Sequence, residues 1–288
     1  GARPGLLGSL VLVFAAAALE PEDAWNSPTC ADYRSVRRMQ AAFEHFAPTS
    51  LQASKHLCGN EVAVVEEFGV VFVANQKAGT GTILEMLGLG HGRGDYRETG
   101  TGIRRGQYAC FEAHNRSDYV VFTFVRDPLA TFLSGFVEVL CRPRQKRSDL
   151  AFLAPSLRMP RGNATAVLAA YVADARRGAP LGRLSLHTWP QAFRVDARCA
   201  PLRFVGKLEA FDAAFDALFP AHAPAPAAAH GAAERNAARG CKADVARTLA
   251  VDGDAAPGAP GAALVRELCA FLAADYACFD YALPRACR

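Results

Sequence analysis

The chain has 288 residues, of which 51% are hydrophobic and 21% charged, with a formal net charge of +4 and a pI near 8.6. This composition excludes global disorder and suits one large α/β domain or two small ones. The mildly basic balance fits an anionic ligand but is no nucleic-acid signature, and the densest basic run, Arg142 to Arg147, reads as a solvated loop after a helix.

In chain order, the first feature is Leu6 to Leu19, apolar apart from Gly8 and Ser9 and preceded by Arg3. At 14 residues it is short for a membrane span and reads as a signal-peptide core or a clipped signal-anchor. The other reading is a buried N-terminal helix, but acidic and proline-containing sequence follows at once. Residues 1–25 are therefore expected to be a signal peptide or signal-anchor, 26–60 a stem, and 61–288 the folded domain. Nine cysteines, at 30, 58, 110, 141, 199, 241, 269, 278 and 287, form no CxxC pair, so zinc-ribbon spacing is absent. They suit an oxidising compartment, with several disulfides and at least one odd thiol. Two sequons, at Asn115 and Asn163, add weak support for a lumenal location.

Val70 to Ala74 is a continuous apolar, β-branched run, hence a buried strand. Asn75 to Thr82 is a Gly/Thr loop, and Ile83, Met86 and Leu87 then begin an amphipathic helix that Gly88 and Gly90 end. Residues 90 to 108 read as loop. Tyr119 to Val125 is a second buried strand; Asp127 can cap the next helix and Pro128 fits its first turn. That helix carries an apolar stripe of Phe132, Leu133, Phe136, Val137 and Leu140. Residues 142 to 163 look irregular and Ala164 to Ala175 helical. Leu202 to Val205 reads as a third strand, and Phe211, Phe215, Leu218 and Phe219 mark a short helix. Pro/Ala/Gly linkers follow at 221–229 and 252–262, then a C-terminal helix marked by Leu264, Leu268, Phe271 and Leu272. Apolar strands alternating with helices predict an α/β fold, a parallel sheet with helices on both faces.

Two segments carry chemistry. VVFVA-NQKAGTGT-ILEML has the form strand, Gly-rich loop, helix. Gly79 and Gly81 let the backbone turn tightly, so amide N–H groups can point inward. The helix beginning near Thr82 adds its dipole, Thr80 and Thr82 add hydroxyls, and Lys77 adds charge at the loop's mouth. The order is not that of a Walker A loop, GxxxxGK[ST], because Lys77 precedes both glycines. The competing reading is an ordinary Gly/Thr turn with a surface lysine. In YVVFTFV-RDP-LATFLSGFVEVL, Arg126 stands at a strand's carboxyl end, the edge where parallel sheets bind ligands. Ser134 lies eight residues later; guanidinium and hydroxyl can grip one phosphate. Pairing of Arg126 with a structural carboxylate is the equal alternative.

Together the segments resemble the Golgi-type carbohydrate sulfotransferase family, whose members use 3'-phosphoadenosine 5'-phosphosulfate (PAPS). QKAGTGT is similar to the family's 5'-phosphosulfate loop and RDPLATFLS to its 3'-phosphate motif. HTWPQAFRVDARC with FVGKLEAFDAAFDALF, and the ending LVRELCAFLAADYACFDYALP, also resemble family segments. The resemblance runs in order from about Val70 to Pro284. It implies that Lys77, Ala78, Gly79, Thr80, Gly81 and Thr82 hold the 5'-phosphosulfate and that Arg126 and Ser134 hold the 3'-phosphate. It further implies a P-loop-like three-layer fold with a central parallel sheet flanked by helices, and no required metal. The partner is then a glycan or other hydroxyl acceptor in the Golgi lumen, acted on by a type II membrane protein or a secreted one. One departure stands at Thr131, where the family often has a second arginine.

Sulfuryl transfer needs a deprotonated acceptor, a stabilised sulfuryl group and a neutralised leaving phosphate. Lys77 and the loop amides suit the last two. His114 and His187 lead the candidates for the general base, with Glu85, Glu98 and Glu112 behind them. Lys207 and Glu209 read as a structural ion pair. Trp189 either stacks on a sugar ring or fills the core. The rival functions are an ATP-using P-loop phosphotransferase, which would need a Mg²⁺-binding Ser/Thr where Ala78 follows Lys77, and a non-catalytic lumenal glycan-binding protein. Tyrosine or small-molecule sulfation is a further variant of the enzyme reading.

Overall fold

The computed structural model describes residues 27–33, 62–65, 69–87, 103–105, 119–141, 156, 163–177, 187–195, 202–219, 241, 243 and 261–288. Eight helices and five strands are assigned among them: α1 (Pro28–Tyr33), β1 (Val62–Val65), β2 (Val70–Val73), α2 (Thr80–Met86), β3 (Ile103–Arg105), β4 (Val120–Val125), α3 (Pro128–Cys141), α4 (Ala164–Arg177), α5 (Gln191–Arg194), β5 (Phe204–Lys207), α6 (Phe211–Leu218), α7 (Ala262–Phe271) and α8 (Ala273–Cys278).

The strands form one sheet in the order β3-β1-β2-β4-β5. β2, β4 and β5 are parallel, as the apolar runs predict. The sheet as a whole is mixed, because β1 pairs antiparallel with β2 and β3 antiparallel with β1. The expected parallel sheet is found at β2, β4 and β5 and is extended at the other edge by two antiparallel strands. Val65 pairs with Val70, so too few residues separate β1 from β2 for a crossover, and the chain turns back instead.

All six residues of β4 are buried, and they alternate between two cores. Val120, Phe122 and Phe124 join Val70, Phe72, Ile83, Leu84, Phe215 and Phe219 on the face covered by α2 and α6. Val121 and Val125 join Val71, Val73, Ala192, Val195, Ala274 and Phe279 on the face covered by α5 and α8. A third core, built from α3, α4 and α7, contains Phe132, Phe136, Tyr171, Leu268 and Trp189. Burial on both faces explains why these strands read as unbroken apolar runs.

Asp127 does cap α3: its Oδ1 accepts from the Ala130 N–H at 2.7 Å, and Pro128 opens the helix. Asn163 caps α4 in the same way, accepting from the Ala166 N–H at 2.9 Å. β5 begins two residues later than the apolar pattern suggests and takes in Gly206. A Cβ at that glycine would lie 2.5 Å from the Phe124 ring, so the neighbouring strand requires glycine there.

Among the described residues, three disulfides join Cys30 to Cys278, Cys141 to Cys241 and Cys269 to Cys287. They fit folding in an oxidising compartment. No helix among the described residues is long and apolar enough to cross a membrane. The division at residues 25 and 60, and the apolar run from Leu6, lie outside the described residues.

Candidate functional site

The carboxyl ends of β2, β4 and β5 converge at one sheet edge. After β2 the backbone turns through residues 76–79. Asn75 O closes the turn by accepting from the Ala78 N–H at 3.1 Å and from Thr80 Oγ1 at 2.6 Å. Two residues of the turn have left-handed backbone, Lys77 (φ 72°) and Gly79 (φ 74°). At Gly79 that conformation costs little. A Cβ there would also lie 2.7 Å from Leu208 Cδ1, just past β5, so the loop packs closely on the end of β5. Lys77 holds the same conformation with a full side chain, a strained state of the kind that collects at functional sites.

The helix starts at Thr80, earlier than expected, and its first backbone bond runs from the Ile83 N–H to Gly79 O at 3.0 Å. The N–H groups of Thr80, Gly81 and Thr82 precede that ladder and have no intrahelical acceptor. The Thr80 hydroxyl hydrogen serves the turn. Thr82 is half-buried, and Ala78 is buried and contributes only backbone.

Arg126 follows β4 directly and is half-buried; no side chain among the described residues pairs with its guanidinium. Ser134 is half-buried on α3. Lys77 Nζ lies 3.6 Å from Glu138 Oε2, and Glu138 stands one helical turn beyond Ser134. The lysine of the first motif thus reaches the helix of the second. His187 comes near the same helix. Its carbonyl packs so tightly on Gly135 that a Cβ there would lie 1.9 Å from His187 O. His114, Glu98 and Glu112, and the side chain of Glu85, lie outside the described residues.

A buried polar layer lies behind the loop. Gln191 Oε1 accepts from Asn75 Nδ2 and from the Arg126 N–H, both at 3.0 Å, and Gln191 Nε2 donates to Arg126 O at 2.6 Å. Asp275 accepts from the Gln191 N–H (2.8 Å) and the Ala192 N–H (2.7 Å), capping the first turn of α5. Arg194 donates to Gln76 O in the loop. Burial pushes the Asp275 carboxyl up to about 6, against its two backbone donors and the Arg194 charge. Burial likewise lowers the Arg194 guanidinium to about 10, with the Asp275 charge opposing. Gln191, Arg194 and Asp275 lie within two of the family-like segments, and Glu138 lies on the α3 helix, but polar residues embedded in apolar helices carry no chemical spacing of their own, so the sequence assigns them no role.

The remaining candidates have structural roles. Glu209 Oε1 accepts from the Asp127 N–H and Oε2 from Tyr281 OH, each at 2.8 Å. Lys207 Nζ donates to Asp280 O at 3.1 Å and sits 4.9 Å over the Tyr281 ring. These contacts tie β5 to the start of α3 and to the C-terminal tail. Trp189 is 3% exposed and fills the core. Thr131 is 1% exposed, so the position of the resembled family's second arginine is a core position in this chain.

No family model matches the chain, and no curated protein or solved structure matches it.

Proposed function

We propose that the chain transfers a sulfuryl group from PAPS to a hydroxyl acceptor, a glycan above all, in the secretory pathway, on a P-loop-like three-layer fold. The observation that carries this reading is the meeting of the two motifs at one sheet edge, with Lys77 Nζ 3.6 Å from Glu138 one turn beyond Ser134. The donors present suit two anionic groups. On one side are Lys77 and the N–H groups of Thr80, Gly81 and Thr82; on the other are the Arg126 guanidinium and the Ser134 hydroxyl.

When bound, PAPS supplies the activated sulfuryl group. Lys77 and the loop amides neutralise charge where the phosphosulfate sits, and Arg126 with Ser134 orients the 3'-phosphate. His187 and His114 are the candidate bases for the acceptor proton. An ATP-using reading gains nothing from the geometry: Ala78, where a Mg²⁺-binding hydroxyl would stand, is 1% exposed and carries no oxygen. A Golgi lumenal site of action, as a type II membrane protein or a secreted one, belongs to the same proposal.

The test is calorimetric titration with 3'-phosphoadenosine 5'-phosphate, with ATP plus Mg²⁺ as comparison. The bisphosphate is expected to bind more tightly, and Arg126→Ala to weaken it by about 10- to 100-fold, the loss of a charged hydrogen-bonding group. A folded chain that binds no bisphosphate, or prefers ATP, refutes the reading. Transfer of labelled sulfate from PAPS to a panel of glycans, tyrosyl peptides and small alcohols then identifies the acceptor.

A further inference from the structure

Gln191 has no exposed surface and stands between the two halves of the candidate site. On one side it holds Asn75, the residue that leads into the Gln76–Gly79 turn and whose Nδ2 also donates to Phe124 O at 3.0 Å. On the other it holds Arg126 at both backbone polar groups, accepting from its N–H and donating to its carbonyl. Gripping both groups of one peptide residue fixes the direction in which the Arg126 side chain leaves the chain. Asp275 seats Gln191 from behind, through the N–H groups at the start of α5. Arg194, one turn along, holds Gln76 O.

We propose that Gln191, seated by Asp275, is a positioning residue that sets the separation between the 5'-phosphosulfate loop and the 3'-phosphate arginine; this rests on the sulfotransferase reading of the site. Only an amide meets both demands at Arg126, an acceptor for the N–H and a donor for the carbonyl. A carboxylate would set a lone pair against the carbonyl, and a thioether would offer no donor. Spacing matters because a nucleoside bisphosphate is a bivalent ligand. Once one phosphate is seated, binding of the other is intramolecular, and the gain is lost when the two subsites no longer match the span. The stretch His187 to Gln191, which the sequence offers as a source of the general base through His187, thereby acquires a role behind the cofactor subsites.

The experiment compares three probes on the full chain: 3'-phosphoadenosine 5'-phosphate, adenosine 5'-phosphate and adenosine 3'-phosphate. Each is titrated against wild type, Gln191→Glu and Gln191→Met, with thermal unfolding recorded for every variant. Bisphosphate affinity is expected to fall about tenfold or more, and each monophosphate by less than about twofold. Asp275→Asn keeps the size of the seat while replacing one acceptor with a donor. It is expected to lower the same ratio, and it carries the test where the Gln191 variants do not fold. Equal losses for all three probes, or an unchanged bisphosphate-to-monophosphate ratio, overturn the proposal while leaving the reading of the site intact. Failure of the wild type to bind the bisphosphate removes that reading, and this proposal with it.

Discussion

Gly135→Ala offers a sharp test of the packing between α3 and the 187–191 segment. In isolation the change favours the helix, since alanine exceeds glycine by about 1 kcal/mol in a helix interior. In this fold the new Cβ would lie 1.9 Å from His187 O, 2.5 Å from His187 C and 3.2 Å from Thr188 N. The first contact is more than 1 Å inside the 3.0 Å limit that real Cβ atoms keep. The obstacle is backbone, so no rotamer change relieves it, and the whole segment must move off the helix. Overpacking of this kind costs about 1–3 kcal/mol, and a backbone clash belongs at the upper end. Subtracting the helix gain leaves a net loss of about 2 kcal/mol. For a domain of this size that lowers Tm by about 4–8 °C. Because Gln191 lies just downstream, bisphosphate affinity should fall as well. A Tm that stays level or rises by a degree or two would falsify the claim that this segment rests on Gly135.

Other perturbations separate stability from binding. Lys77→Gly relieves left-handed strain worth about 1 kcal/mol while removing the loop's charge, so Tm should hold or rise slightly as bisphosphate affinity drops; a parallel loss of both would contradict this. Asp275 titrates near 6 in the fold, against 3.8 ordinarily. Between those values the folded chain keeps a proton that the unfolded chain has lost. Its contribution to stability is therefore full below pH 3.8 and is lost as the pH rises through about 6, by about 3 kcal/mol. Denaturant titrations at pH 4 to 7 should show that slope in wild type and lack it in Asp275→Asn. Trp189→Ala should cost about 3–5 kcal/mol in chemical unfolding, as for a core aromatic; a value under 1 kcal/mol would point instead to a ligand-facing ring. Cys30→Ala with Cys278→Ala should cost about 2–5 kcal/mol, measured by unfolding under non-reducing conditions.

The elements legible in the sequence were those whose residues obey one local rule. β2 and β4 are buried on both faces and so read as apolar runs. α3 carries its cap and first-turn proline in the sequence Asp127-Pro128, and the Gly/Thr loop and Arg126 stand at the carboxyl ends of β2 and β4, as the apolar runs predict. The rest depended on distant partners. β3 contains Ile103, Arg104 and Arg105, and three residues with two arginines have no period to detect; its pairing with β1 makes it a strand. α1 has six residues, and the bond from Cys30 to Cys278 ties it to α8. Gly206 interrupts the apolar run, and its place in β5 is explained only by Phe124, which occupies the space a side chain would need. Gln191 was hidden for the same reason, since its partners lie 65 and 116 residues away in the chain.

The bond between Cys30 and Cys278 spans 248 positions and makes nearly the whole described chain into one covalent ring. A single cut anywhere between those cysteines opens the ring without splitting the molecule. Under non-reducing electrophoresis a once-cleaved chain would keep the mass of the intact one, and it would separate into two bands only after thiol treatment. Proteolysis of the Pro/Ala/Gly segments at 221–229 or 252–262 would thus leave the loop after β2 and the start of α3 attached to the C-terminal helices that brace them.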